Sequence, residues 1–311
     1  MDCWYPITVP RHSNYKGKDG LLYTRVYGRM NVPCGRCPPC RRRKQNEWAY
    51  RILEEAKSSK LCAFVTLTYE DDHLTFIDDV ATLVPDHLTQ FFKNLRYDIG
   101  SFRYFACGEY GDQFERPHYH FCLFYNGMLS HDQLTLSIQK RWKHGFIQYD
   151  EDLTAGRAKY CAKYSMKQVG FDYGNIVPPF ARMSRRPGIG KQFLDSIDFD
   201  LFRSRDLWSV HDYQGTPYPI PRYYKERIYS KDECDQHSML IEHQKNMKFD
   251  YRLSTKSDNG NIHQFLHDKI INNERIFIKH LKQENYGFRY KLPTQNRNGS
   301  VRHDDLISDE F

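Results

Sequence analysis

The stretch RPHYHFCLF, residues 116–124, constrains the fold of this chain more than any other. Side chains two apart on a strand share a face. A strand here projects His118 and His120 together on one side and Tyr119, Phe121 and Leu123 on the other. Two adjacent imidazoles are half of a metal site, and a third ligand must come from a neighbouring strand. Glu109 ends the preceding strand-like run, across a Gly- and Pro-containing hairpin, and can lie beside the pair. A His, His, Glu set with open positions suits Mg²⁺ or Mn²⁺, or Zn²⁺ if the geometry is tetrahedral.

A second pattern, YCAKYSMK over 160–167, reads as helix. Tyr160 and Tyr164 stand one turn apart, with Lys163 and Lys167 on the same side. Ala158, Ala162, Ser165 and Val169 form the opposite stripe, which is expected to be the packed one and to leave both tyrosines out of the core. A phenol with a pKa near ~10 is a weak nucleophile. A nearby ammonium favours the phenolate and a metal polarises the phosphate under attack. Tyrosines, lysines and a metal together suit phosphodiester cleavage through a covalent phosphotyrosine.

Around these motifs the chain alternates elements. Residues 44–59 read as helix, 60–69 as strand, 85–97 as helix, and 102–109 and 119–125 as strands. Helix is expected over 133–142, a short strand over 145–149, and helix over 154–168, with Thr154 as N-cap and Gly170 as stop. The order predicts an α+β fold, a largely antiparallel central sheet with helices on one side, plus a Cys-rich N-terminal segment. We divide the 311 residues into a Cys-rich basic segment packed on the core (1–60), a core (61–230) and a polar, partly disordered or helical C-terminal extension (231–311).

Hydrophobic residues make up 40% of the chain, yet no apolar run approaches the ~18 residues that a membrane helix needs. MDCWYPITVP shows no charged region followed by an apolar one, so no secretory leader is expected. Nine cysteines, an odd number, in such a chain argue for metal binding or inert burial over a disulfide framework. Cys34, Cys37 and Cys40 recur every three residues in a Gly/Pro loop and converge readily; Cys3 completes a candidate structural Zn²⁺ site. The spacing also occurs in iron–sulfur ligation. Cys62, Cys107, Cys122, Cys161 and Cys234 are scattered and are expected to be packing residues.

A net charge of +7 and an aromatic content of 15% fit a nucleic-acid partner, since bases stack on aromatic faces beside Arg and Lys. Candidate phosphate contacts are Arg41, Arg42, Arg43 and Lys44, and a loop with Arg182, Arg185, Arg186 and Lys191, whose Pro187, Gly188 and Gly190 let backbone approach DNA. Tyr223 and Tyr224 are candidate stacking platforms, and Thr66 and Thr68 flank the histidines.

FVTLTYEDDHL (64–74), RPHYHFCLF and YCAKYSMK resemble, in order and spacing, the three motifs of HUH endonucleases, whose palm is RRM-like. CGRCPPCRRRKQNEWAYR, CGEYGDQFERPHYH, MSRRPGIGKQFL and PRYYKERI are similar to segments of the replication initiators of microviruses, especially the gokushovirus group. The resemblance covers residues 1–230. It implies a rolling-circle initiator that nicks single-stranded or melted origin DNA, keeps the 5′ phosphate on tyrosine and leaves a 3′ OH. By position, His118 and His120 are the metal ligands, with Glu109 the chosen third, and Tyr160 and Tyr164 are alternating nucleophiles beside Lys163. The same resemblance implies work in the cytoplasm of an infected bacterium, followed by host helicase and DNA polymerase. A competing reading is a non-catalytic, zinc-containing nucleic-acid-binding protein with a structural histidine pair. Metal-dependent hydrolysis by water uses the same histidines and no tyrosine.

Overall fold

Pairing around one central hairpin organises the chain, as a computed structural model shows for residues 3–257 apart from 17, 112–113, 165–172 and 212–214. An N-terminal ribbon, β1 (Ile7–Lys16) and β2 (Leu22–Val32), leads into α1 (Pro38–Lys57). Then follow β3 (Leu61–Thr68), the small hairpin β4 (Thr75–Ile77) and β5 (Val80–Thr82), α2 (Pro85–Ile99), β6 (Arg103–Tyr110), β7 (Pro117–Tyr125), α3 (His131–Arg141), β8 (Ile147–Asp150), α4 (Ala155–Tyr164) and β9 (Phe180–Met183). The remainder is α5 (Gln192–Ser196), α6 (Phe199–Ser204), β10 (Ser209–His211), β11 (Pro217–Pro219), α7 (Arg222–Ile228) and α8 (Lys231–Ser257). The helix stop expected at Gly170 lies outside the described residues.

The central sheet has the order β8-β3-β7-β6-β9, and every pairing in it is antiparallel. This is the expected α+β class. The single helical layer is corrected: helices cover both faces. Ala63, Val65 and Leu67 of β3 and Tyr119, Phe121, Leu123 and Tyr125 of β7 pack with α2 and α3. The intervening residues Phe64, Cys122 and Phe124, with Phe105 and Cys107 of β6, pack with Ala49 and Ile52 of α1 and Ala158, Cys161 and Ala162 of α4. Apolar residues on both sides of a strand require two cover layers.

Local chemistry sets the helix limits. Pro38 and Pro85 open α1 and α2, where a missing N–H is harmless and φ is already helical. The proline start brings the basic run 41–44 inside α1, six residues before the start expected from its apolar spacing. Ser130 and Gln133 form a capping box at α3, and Thr154 Oγ1 accepts from Arg157 N at 3.3 Å at the start of α4. Leu88, Phe91, Phe92, Leu95 and Ile99 give α2 one buried stripe, each contributing roughly 1.5–3 kcal/mol by burial. A third cluster, Phe193, Val210, Ile220, Tyr224, Ile228 and Tyr229, is built from the elements after β9.

A buried carboxylate joins these layers. Glu55 of α1 accepts from the Arg103 guanidinium of β6 and, at 2.6 Å, from Gly190 N. Gly190 has φ +74°, and a Cβ there would collide with Tyr224 Oη and meet Arg51 O at 2.7 Å. The close approach that glycine permits at 190 is to α1 and α7, which corrects the reading of that glycine as a DNA-facing hinge.

Candidate active site

Register brings the first set of residues together. In the β6–β7 ladder Glu109 stands opposite His118, and in the β3–β7 ladder Thr68 and Thr66 stand opposite His118 and His120. All five belong to the face covered by α1 and α4, and Tyr119 points to the other, where its hydroxyl donates to Val84 O at 2.8 Å. Glu109 Oε1 lies 2.9 Å from His118 Nε2 and 2.8 Å from His120 Nε2. Tyr160, reaching across from α4, donates to the same oxygen at 2.6 Å.

The outer contacts fix the rings. His118 Nδ1 is 3.0 Å from Arg116 O, and a carbonyl only accepts, so the proton sits on Nδ1 and Nε2 turns its lone pair inward. His120 Nδ1 is 2.9 Å from Thr66 Oγ1, and its ring stacks on Phe64 at 5.3 Å. Arg116 holds the end of β7 to β3 through Tyr69 O at 2.6 Å and Asp71 at 2.5 Å. Burial opposes the charge on Glu109, but the hydrogen bonds and charges of His118 and His120 outweigh it and hold its carboxyl at about 2. A lone pair aimed at an ionised carboxylate is a repulsive arrangement that a cation resolves. The ligand atoms of Glu109, His118 and His120 all lie within 4.8 Å of one another, and the donor set fits a divalent cation.

The two tyrosines part company. Tyr160 is 39% exposed, whereas Tyr164 is 1% exposed and packs with Ala158, Cys161 and Ala162. The expectation that both stand clear of the packed stripe is therefore corrected for Tyr164. Their rings remain 5.2 Å apart, and Lys163 Nζ lies 5.7 Å from the Tyr164 ring centre. Ser165, Lys167 and Val169 lie outside the described residues.

Among the other anticipated residues, Cys3, Cys34, Cys37 and Cys40 come together, their sulfurs within 4.8 Å of one another. All nine cysteines are reduced; Cys107, Cys122 and Cys161 are buried, and Cys62 and Cys234 partly so. Arg42, Arg43 and Lys44 are exposed and Arg41 half-buried on α1, which meets α4 where Gln45 Nε2 donates to Lys159 O at 2.8 Å. Arg185 and Arg186 are exposed. Arg182 is a structural residue instead, donating to Pro85 O at 3.1 Å and to Thr89. Tyr224 is buried with its hydroxyl on Gly190 O at 2.8 Å, and Tyr223 lies under Arg51 and Arg227 at 3.9 and 3.8 Å. Neither is an open stacking platform. Phe64 and Arg116 escaped the sequence reading as positioning residues; their signal was adjacency to the motifs, within FVTLTY and immediately before Pro117-His118.

A sheet with this site defines a class. The family model for replication-associated proteins of the ORF2 type matches residues 62–169, from β3 through the second tyrosine. Replication-associated protein ORF2 of Spiroplasma virus 4 is 34% identical over 221 residues, covering 64% of this chain and 68% of that protein. Replication-associated protein VP4 of Bdellovibrio phage phiMH2K is 30% identical over 62% of this chain and 66% of its own length. Replication-associated protein ORF4 of Chlamydia phage 1 is 27% identical over 63% and 53%. No solved structure matches the chain. The chain belongs to the phage replication-associated proteins, the replication initiators of the microvirus type. No helix among the described residues is long and apolar enough to cross a membrane.

Proposed function

We propose that the chain initiates rolling-circle replication by nicking and rejoining one strand of single-stranded or melted origin DNA, with Tyr160 as nucleophile. The observation that carries this reading is the convergence of Tyr160 Oη, His118 Nε2 and His120 Nε2 on Glu109 Oε1, at 2.6, 2.9 and 2.8 Å. Glu109, His118 and His120 would hold a divalent ion, Mg²⁺ or Mn²⁺, which when bound supplies Lewis-acid polarisation of the scissile phosphate.

The side chains account for the rest. α4 holds the phenol at the sheet, where Glu109 accepts its hydrogen bond. The phenol oxygen bonds to phosphorus as its proton departs, and the bond from phosphorus to the 3′ oxygen breaks. That oxygen takes up a proton, leaving a free 3′ OH and a 5′ phosphate on Tyr160. Lys163, three residues on in the same helix, supplies positive charge beside the developing phenolate. Joining reverses the step. Tyr164 as second nucleophile must first leave the core, which costs on the order of 1.5–3 kcal/mol. Arg41, Arg42, Arg43, Lys44, Arg185 and Arg186 supply phosphate contacts beside the site. In an infected cell this places the protein in the host cytoplasm, ahead of host helicase and DNA polymerase.

The test incubates protein and Mn²⁺ with end-labelled single-stranded fragments of its own replicon. A denaturing gel should show protein joined to the 3′-side fragment, and peptide mass spectrometry should find the phosphate on Tyr160. The adduct should vanish with chelator and in His118→Ala. Cleavage without an adduct indicates water as the nucleophile, and binding without cleavage a non-catalytic module; either overturns the reading.

A further inference from the structure

We propose that Cys3, Cys34, Cys37 and Cys40 bind one zinc ion as a tetrathiolate that clamps the base of the β1–β2 ribbon to the start of α1. The site is separate from the nicking chemistry and stands whether or not that reading holds.

Distance is the first argument. A disulfide needs sulfurs at about 2.05 Å. Four thiolates around zinc, each about 2.3 Å from the ion, form a tetrahedron with edges of about 3.8 Å. Cys37 and Cys3 Sγ are 3.8 Å apart, and all four sulfurs lie within 4.8 Å of one another. That space holds one ion, while an iron–sulfur cluster sets its thiolates around a larger core.

The sulfurs are also solvated by backbone as thiolates require. Cys34 N donates to Cys3 Sγ at 3.2 Å, Cys37 N and Arg36 N to Cys34 Sγ at 3.3 and 3.4 Å, and Trp4 N to Cys37 Sγ at 3.5 Å. α1 starts at this point with no acidic residue in its first turn and no side-chain cap on Cys37, so its positive end faces the sulfurs.

Topology supplies the reason for a clamp. β1 and β2 form a two-stranded sheet of their own, and Leu22 and Val26 on the ribbon are exposed. Such a hairpin is marginally stable in water without further packing. Cys3 precedes β1, Cys34 follows β2, and Cys37 and Cys40 sit at the first turn of α1, so one ion closes the open end of the ribbon and anchors it. α1 then carries the anchor to α4 through Gln45, whose acceptor Lys159 immediately precedes Tyr160.

The test uses the full chain carrying His118→Ala and His120→Ala, which removes the other donor set, purified without added metal. Elemental analysis should find about one zinc per chain, released by a thiol-specific mercurial. Cys37→Ser should lower zinc by roughly tenfold or more, and Cys62→Ser should leave it unchanged. Because loss of zinc in Cys37→Ser could also follow from misfolding, cobalt exchanged into the chain with all cysteines intact gives a second measurement. It should show thiolate-to-cobalt charge transfer and the intense visible bands of a tetrahedral site. Iron with sulfide, less than a stoichiometric metal, zinc indifferent to the mercurial, or weak octahedral cobalt bands each overturns the proposal.

Discussion

The two faces of the central sheet are made from alternate residues of the same strands, and they end differently. The α2/α3 face is apolar along its whole length, from Val65 and Phe121 to Tyr119, and the tyrosine hydroxyls that reach it are paired: Tyr69 with Tyr119 at 2.8 Å, Tyr119 with Val84 O. The α1/α4 face begins the same way, with Phe64, Phe105, Cys107 and Cys122, then turns polar at Glu109, His118 and His120 just where Tyr160 emerges from cover. One face therefore stores stability, and the other uses the same packing to aim three ionisable groups and a phenol at one point. The contrast is sharpest between Tyr160 and Tyr164, one turn apart on α4 and on opposite sides of the boundary between site and core.

The largest expected effect tests that boundary. Tyr160→Phe should lower the first cleavage by roughly three orders of magnitude or more with unchanged DNA binding, because only the attacking oxygen is lost. Tyr164→Phe should leave that step within about twofold. Single-turnover cleavage on one labelled strand measures both. Equal losses would mean that α4 turns Tyr164 outward on DNA, and the distinction between the tyrosines would fall.

Next in size is a pair of truncations on opposite faces. Phe121→Ala, at a fully buried position under α2, should cost about 3–5 kcal/mol in urea unfolding. At temperatures where the variant remains folded, its cleavage rate should match that of the parent. Phe64→Ala should cost a similar amount and also slow cleavage, since the Phe64 ring backs His120 at 5.3 Å. If both variants cleave alike, packing behind the histidines does not position them.

A third test concerns the rim of the closed face, where His144 stacks on His87 at 3.9 Å and meets His73 at 5.8 Å. Burial first, then His87 and His73, hold His144 down at about 4; burial likewise lowers His87, against the pull of Asp86. Between pH 6.5 and 4 the unfolded chain therefore binds more protons than the folded one, so stability should fall as pH falls through that window. His144→Gln should flatten this part of a stability-against-pH curve. A slope that His144→Gln leaves intact would locate the acid sensitivity elsewhere.

The central strands were legible because alternation is a direct print of two-sided burial: residues 60–69, 102–109 and 119–125 lie within one or two residues of β3, β6 and β7. Glu109 beside His118 was legible for the same reason, since a hairpin fixes which residues face each other. The second helical layer was harder to see. Its signal was present in Cys122 and Phe124, apolar residues on the histidine face of β7, but the polar residues at 118 and 120 suggested an open side. The ribbon went unread because neither of its faces is packed on a core, which leaves no apolar period to detect. Tyr164 was misjudged because helix spacing alone does not set how far the packed arc extends; in the fold Cys161 and Tyr164 widen it beyond Ala158 and Ala162.

The smallest expected effect separates the stability of α4 from its aim. Thr154 Oγ1 caps the helix through Arg157 N, on an exposed turn two residues after Asp152, whose carbonyl accepts from the Arg157 guanidinium at 2.5 Å. Thr154→Ala should cost about 1 kcal/mol, the usual loss for an N-cap oxygen, and Thr154→Ser should restore it. The cap lies almost two turns before Tyr160, while the phenol is held from the sheet side by Glu109 and α4 is braced by α1 through Gln45. The fraying should therefore appear as faster amide exchange at 155–158, with the cleavage rate within about twofold of the parent. A larger rate loss, rescued by serine, would mean that the aim of the nucleophile depends on the start of its helix, and that the α1/α4 face is held less by packing than its burial suggests.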